Sequence, residues 1–134
     1  MNDVLKRDDI DDIVRRFYEA MLKDPIIGFI FTDVAKIELE SHLPIIGDFW
    51  QDSVFGTQLY DNNTLAKHLD IHAKMPLKAG HFTRWLYLFS QAVNEKHAGD
   101  NASAMLLTAD RIAKTISASL SGQKRAGLRL SLED

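Results

Sequence analysis

The chain contains no cysteine. That single absence removes disulfide staples, thiolate nucleophiles and thiolate metal ligands together. It also fits a reducing compartment, and a cytoplasmic location is the expectation. Proline is scarce, with three residues, so few positions are barred from helix. No apolar run approaches the length of a membrane-spanning helix. The opening residues MNDVLKRDDIDD are charged and lack the apolar core of a secretory signal. No excess of basic residues exists either. The formal net charge is −3, which argues against a nucleic-acid polyanion as the main partner. The short KRAGLR cluster near the end is too small to change that reading. Catalytic signatures are missing as well: no Gly-x-Ser-x-Gly, no phosphate-cradling glycine loop, no paired carboxylates in an evident cleft.

What is present is helical periodicity. The chain has 134 residues, 46% of them hydrophobic, which suits one compact domain. The first stripe is Ile10, Ile13, Val14, Phe17, Met21 and Leu22, at steps of three and four. Asp8 or Asp9 is the expected cap, and Asp24-Pro25 the expected stop. Residues 26–31 read as tight turns or one short helix. Leu39, His42, Leu43, Ile46, Phe49 and Trp50 form the next stripe. Pro44 sits inside it, so a regular helix is expected to begin near Pro44, after an irregular turn. Gly56 is the expected end. Residues 64–70 form a short candidate with Leu65, His68 and Leu69 on one face. Phe82, Trp85, Leu86, Phe89 and Val93 form a strong stripe, and Leu106 to Leu120 the last one. No clean period-2 run appears. The predicted class is all-α, in about six pieces, as one domain over 1–124 with a disordered tail over 125–134.

Five histidines are the first candidates for chemistry: His42, His68, His72, His81 and His97. His97, in EKHAGD, reads as structural near a helix end, and His81 as a tuner of a helix start. His68 and His72 lie four apart and could form half of a metal site, but no His-Glu-x-x-His pattern accompanies them. His68 points inward from its apolar face, and an inward imidazole needs a partner, either a metal or a backbone carbonyl. Tyr18 adjoins the inner stripe, and a buried phenol also needs a partner. Trp85 offers an indole N–H or plain packing.

Three blocks tie these residues together. HLPIIGDFW (42–50) resembles the His-Leu-Pro-x-x-x-Asp-Phe-Trp signature of the group III truncated haemoglobins. AKHL (66–69) resembles their proximal-histidine segment, and HFTRWLYLF (81–89) is similar to their His-Phe-x-Arg-Trp-Leu-x-Leu-Phe block. RRFYEAMLKDPIIGFIF and ADRIAKTISASL add support, and the resemblance covers roughly Asp8 to Lys124.

The resemblance implies a shortened globin fold, a helical sandwich around haem b. It puts His68 at the iron ligand and Tyr18, His42 and Trp85 on the opposite, ligand-binding side. It puts Phe31 on the haem face, Ile46 and Phe49 in the distal wall, and Lys67 near a haem propionate. Phe82 joins the apolar wall. His42 is expected to gate the pocket, with direct coordination of iron as its rival. The implied function is capture of O2, NO or CO, with slow release because Tyr18 and Trp85 donate hydrogen bonds. The alternative is a haem enzyme acting on nitric oxide or peroxide with a separate reductase. No catalytic residue is assigned, and neither nucleic acid nor membrane is an expected partner.

Overall fold

A computed structural model describes residues 1–34, 38–60, 72 and 77–126. Four helices dominate: α1 (Arg7–Leu22), α2 (Leu39–Phe55), α3 (Ala79–Asn94) and α4 (Asp100–Ala126). A single π-helical turn, Ile30–Val34, lies between α1 and α2. Helix α1 packs on α2 and α3, while α4 packs on α3 and α2. Among the described residues the only β-type pairing is one isolated bridge, Asn2 to His97. No described helix is long and apolar enough to cross a membrane. The all-α expectation therefore holds. The candidate at 64–70 lies outside the described residues.

Local chemistry explains where each helix starts. Helix α1 begins one residue before Asp8, and Lys6 is its cap. Asp9 acts from inside the first turn: its carboxylate accepts the N–H groups of Leu5 and Lys6 at 2.9 and 3.2 Å. That is the returning half of a capping box, so neither Asp8 nor Asp9 is itself the cap. At the far end Asp24 N–H donates to Met21 O at 3.1 Å.

Helix α2 corrects the expectation built on Pro44. It starts at Leu39, five residues earlier, and Pro44 lies inside it. Glu38 is the reason. Its carboxylate accepts from the N–H groups of Glu40 and Ser41 at 3.2 and 3.0 Å, and its carbonyl accepts from His42 N–H at 3.1 Å. Those bonds satisfy the free donors of the first turn, against a proline cost of about 3 kcal/mol. Arg7 holds the same stretch from outside. Its guanidinium reaches Asp11, Asp48, Gln51 and the carbonyl of Pro44. Gly56 ends α2 at φ 75°, where a Cβ would be strained.

The start of α4 is held from the other end of the chain. Asp3 accepts from the N–H groups of Asn101 and Ala102 at 2.9 and 2.8 Å. Asn101 returns a side-chain bond to Val4 O at 2.7 Å. Gly99, at φ 146°, lets Asp3 approach, since a Cβ there would collide with that carboxylate. Helix α4 continues through Gly122 to Ala126, beyond the apolar stripe that ends at Leu120.

Candidate functional site

The apolar faces of all four helices do not close on one another. They leave a cleft with a cavity volume of about 120 Å³, partly open to solvent. Helix α1 contributes Phe17 and Tyr18, and the turn after it Ile27, Ile30 and Phe31. Helix α2 adds Ile46, Phe49 and Trp50. Leu77, His81, Phe82 and Trp85 come from α3 and its approach, and Ile112, Ala113 and Ile116 from α4. The lining is mostly apolar with a few placed polar groups, as in small-molecule sites.

Those polar groups are few. Tyr18 is buried, and burial, with Tyr60 adding to it, pushes its phenol well above the ordinary value. It stays protonated across ordinary pH. Its hydroxyl shares a 2.9 Å hydrogen bond with His42 Nε2, and the two rings meet edge to face. His42 reaches Tyr18 from the first turns of α2, where Glu38 fixes the helix start. Arg15, on α1, pairs with Glu40 through two bonds of 3.1 and 3.0 Å and ties that turn to α1.

Trp85, on α3, also lines the cleft. Its ring stacks on Phe89 at 5.8 Å, and Phe89 stacks on Trp50 at 4.8 Å. Phe17 meets both Trp85 and Phe89 edge on. The indole is thus held by two aromatic neighbours, Phe17 and Phe89. Its N–H makes no hydrogen bond among the described residues.

His81 also faces the cleft. Its Nδ1 accepts the N–H of Lys78 at 2.9 Å, so the neutral ring carries its proton on Nε2. Burial first, and then Lys78, lower its pKa below the ordinary value.

The structure therefore brings Tyr18, Trp85, Phe31, Ile46, Phe49 and Phe82 to one cavity. His42 is not in its lining; it touches Tyr18 instead. Lys67 and His68 lie outside the described residues. His72 accepts Leu77 N–H at its Nδ1, 2.8 Å away, and the described residues contain no cluster able to hold a metal ion. His97 is a packed residue behind α3, bridged to Asn2, with Nδ1 unpartnered among the described residues. Sequence reasoning missed Phe17, Ile27, Ile30, Trp50, Leu77, His81 and the α4 trio as cavity wall. Most of these sit in ordinary core stripes, and nothing in their spacing separates wall from core. From sequence, His81 reads only as a tuner of a helix start.

Comparison with known proteins decides the fold. A solved structure, the group III truncated haemoglobin of Campylobacter jejuni, superposes with a TM-score of 0.78. It has 28% identity and covers 90% of this chain and 95% of that one. The chain has the truncated-globin fold. The group 3 truncated haemoglobin ctb of Campylobacter jejuni is 29% identical over 114 residues, which are 83% of this chain and 87% of that protein. No family model matches. In sequence and in fold alike, this globin is similar to the group III truncated haemoglobins, as its three blocks led one to expect.

Proposed function

We propose that this globin binds haem b in the cleft and holds O2 or another small diatomic ligand there, releasing it slowly. The observation that carries the reading is the Tyr18–His42 hydrogen bond at the wall of a mostly apolar cavity that the Trp85 indole also lines.

The described residues fit such a group. Large side chains such as Phe31, Ile46, Phe49 and Phe82 line open space rather than filling it, and they suit a flat apolar macrocycle. His68, which resembles the family's iron ligand, is the residue proposed to hold it, with Lys67 beside a propionate. When bound, haem would supply an iron able to take up a small diatomic ligand.

The chain's own residues then control that ligand. An imidazole whose Nε2 carries the proton donates to the Tyr18 oxygen and leaves the phenol proton for the cavity. The opposite tautomer accepts that proton and silences the donor. His42 is in this way a setter of Tyr18 rather than an iron ligand, since its Nε2 is already engaged. Its gating motion is part of the same proposal. The Trp85 indole supplies a second donor. Each bond to a polarised ligand atom contributes about 1–3 kcal/mol, expressed mainly in how slowly the ligand leaves.

Haemin titration of the purified protein, followed by spectra with and without carbon monoxide, is the first test. We expect stoichiometric uptake, lost in His68→Ala. Tyr18→Phe and Trp85→Phe should each speed O2 dissociation by roughly tenfold or more. Uptake undiminished in His68→Ala, or unchanged dissociation in both donor variants, would defeat the corresponding part of the proposal.

A further inference from the structure

Next to Trp85 in the chain is Arg84, which faces away from the cavity. Its Nε and Nη2 donate to Asp24 Oδ1 at 2.9 and 2.6 Å. The other oxygen, Oδ2, accepts the N–H groups of Ile26 and Ile27 at 3.0 and 3.1 Å. Asp24 O also accepts Gly28 N–H at 2.9 Å. One carboxylate, with 3% of its side chain exposed, therefore shapes the turn after α1 and grips α3. That turn lays Ile27, Ile30 and Phe31 into the cavity wall. The guanidinium also rests over the Tyr87 ring, 5.0 Å from its centre, which limits its freedom further.

The location matters because the two proposed donors ride on the two helices joined here. Tyr18 is on α1, six residues before Asp24; Trp85 is on α3, one residue after Arg84. At the other end of the same helix pair Arg16 meets Ala92 O and Glu95 at 2.8 and 2.7 Å. Between these two ties lie apolar contacts, among them those of Phe17 with Trp85 and Phe89. The cavity-side tie has the better buried carboxylate: Glu95 has 64% of its side chain exposed, against 3% for Asp24, while Arg16 and Arg84 are 19% and 31% exposed. Apolar packing is non-directional, so it does not by itself fix the rotation of α3 about its axis. A two-point guanidinium bond does, because its geometry is planar and directional.

We propose that Asp24 and Arg84 are positioning residues that set where the Trp85 indole N–H stands relative to Tyr18. This rests on the ligand-binding reading above and names the device that holds its second donor. The pair touches neither ligand nor cofactor and acts only through Trp85.

The test compares Arg84→Gln, Arg84→Lys and Asp24→Asn with wild type and with Glu95→Gln, the control at the outer tie. In the reduced, haem-loaded proteins we expect Arg84→Gln and Asp24→Asn to speed O2 dissociation about fivefold and to split or shift the C–O stretching band of the carbonmonoxy form. Arg84→Lys should recover part of the rate, and Glu95→Gln should match wild type. In a Trp85→Phe background the Arg84→Gln change should lose its effect on dissociation. In haem-free protein, isotope-labelled NMR should show the Trp85 indole N–H resonance shifted or broadened in Arg84→Gln. Lowered thermal stability with dissociation, C–O band and indole resonance all as in wild type would overturn the proposal. So would an undiminished effect in the Trp85→Phe background. If wild type takes up no haemin, the functional reading fails, and the indole resonance alone decides the positioning claim.

Discussion

The two halves of α1 face different surroundings. Its first half, with Ile10, Ile13 and Val14, lies in closed packing with Val4, Val93, Met105 and Ala109, all 1% exposed or less. Its second half, with Phe17 and Tyr18, borders the open cleft. There the large side chains of Phe31, Ile46, Phe49 and Trp85 are only partly buried against the core. The first region is complete as it stands. The second, among the described residues, borders open space, where the proposed haem would add contacts. On the proposed reading, a packed half and an open half on one helix separate the demands of stability from those of binding.

The largest expected effect breaks that contrast directly. Met105→Ala removes a fully buried side chain and should cost about 3 kcal/mol of unfolding free energy in haem-free protein. Ile46→Ala, on the open wall, should cost about 1 kcal/mol there, because part of that side chain already faces open space. With haemin present the order of consequence shifts: Ile46→Ala should release haemin faster, and Met105→Ala should not. Denaturant unfolding with and without haemin reads both. Equal losses for the two variants in haem-free protein would show that the cleft is packed like the rest.

The same contrast explains what the sequence disclosed. Stripes at steps of three and four revealed α1, α3 and most of α4, because burial on one side of a helix is a local, periodic demand. Position in the stripe does not say whether the neighbour is another helix or a void. Trp50 and Ile116 therefore read as core, although both line the cleft. Pro44 misled for the opposite reason: a local cost was visible, while its offset lay in Glu38 and in Arg7, 37 residues away. The Asp3 cap on α4 spans 98 residues to Asn101 and leaves no local trace. Tyr18 and His42 stood out as candidates through the blocks around them, but their mutual hydrogen bond was not legible.

A smaller effect separates the polar ties of the two regions by pH. Arg84, foremost, holds the Asp24 carboxyl below its ordinary value, with the Ile26 and Ile27 N–H groups adding to it. Asp3 is lowered chiefly by the Asn101 N–H. A depressed carboxylate gives stability that is complete above the unfolded value, 3.8 for Asp, and is lost as pH falls through the lower folded value. Both ties should thus fail on acidification. Asp24→Asn and Asp3→Asn should each lower Tm at neutral pH and flatten its decline below about pH 4. The flattening should be greater for Asp24, which is the better buried and faces a full cation. A steeper acid limb in either variant would contradict the assignment.

The smallest effect belongs to His81, at the border of the cleft. Its folded pKa is lowered from 6.5, by burial first and by Lys78 second. The unfolded chain therefore binds a proton more readily than the folded one. Stability from this group is complete above 6.5 and declines as pH falls toward the lower folded value. The bond from Lys78 N–H to Nδ1 gives the same sign, since protonation turns that acceptor into a donor and breaks the first turn of α3. His81→Gln should remove a shallow loss of Tm between about pH 7 and 5 while leaving the steeper carboxylate limb in place. Haem loading should sharpen the difference: a filled cleft deepens the burial of the ring and should move the His81 titration, followed by NMR in the carbonmonoxy form, further down. An upward movement would mean that a negative group of the cofactor lies against His81, and that electrostatic attraction outweighs burial on this rim of the cavity.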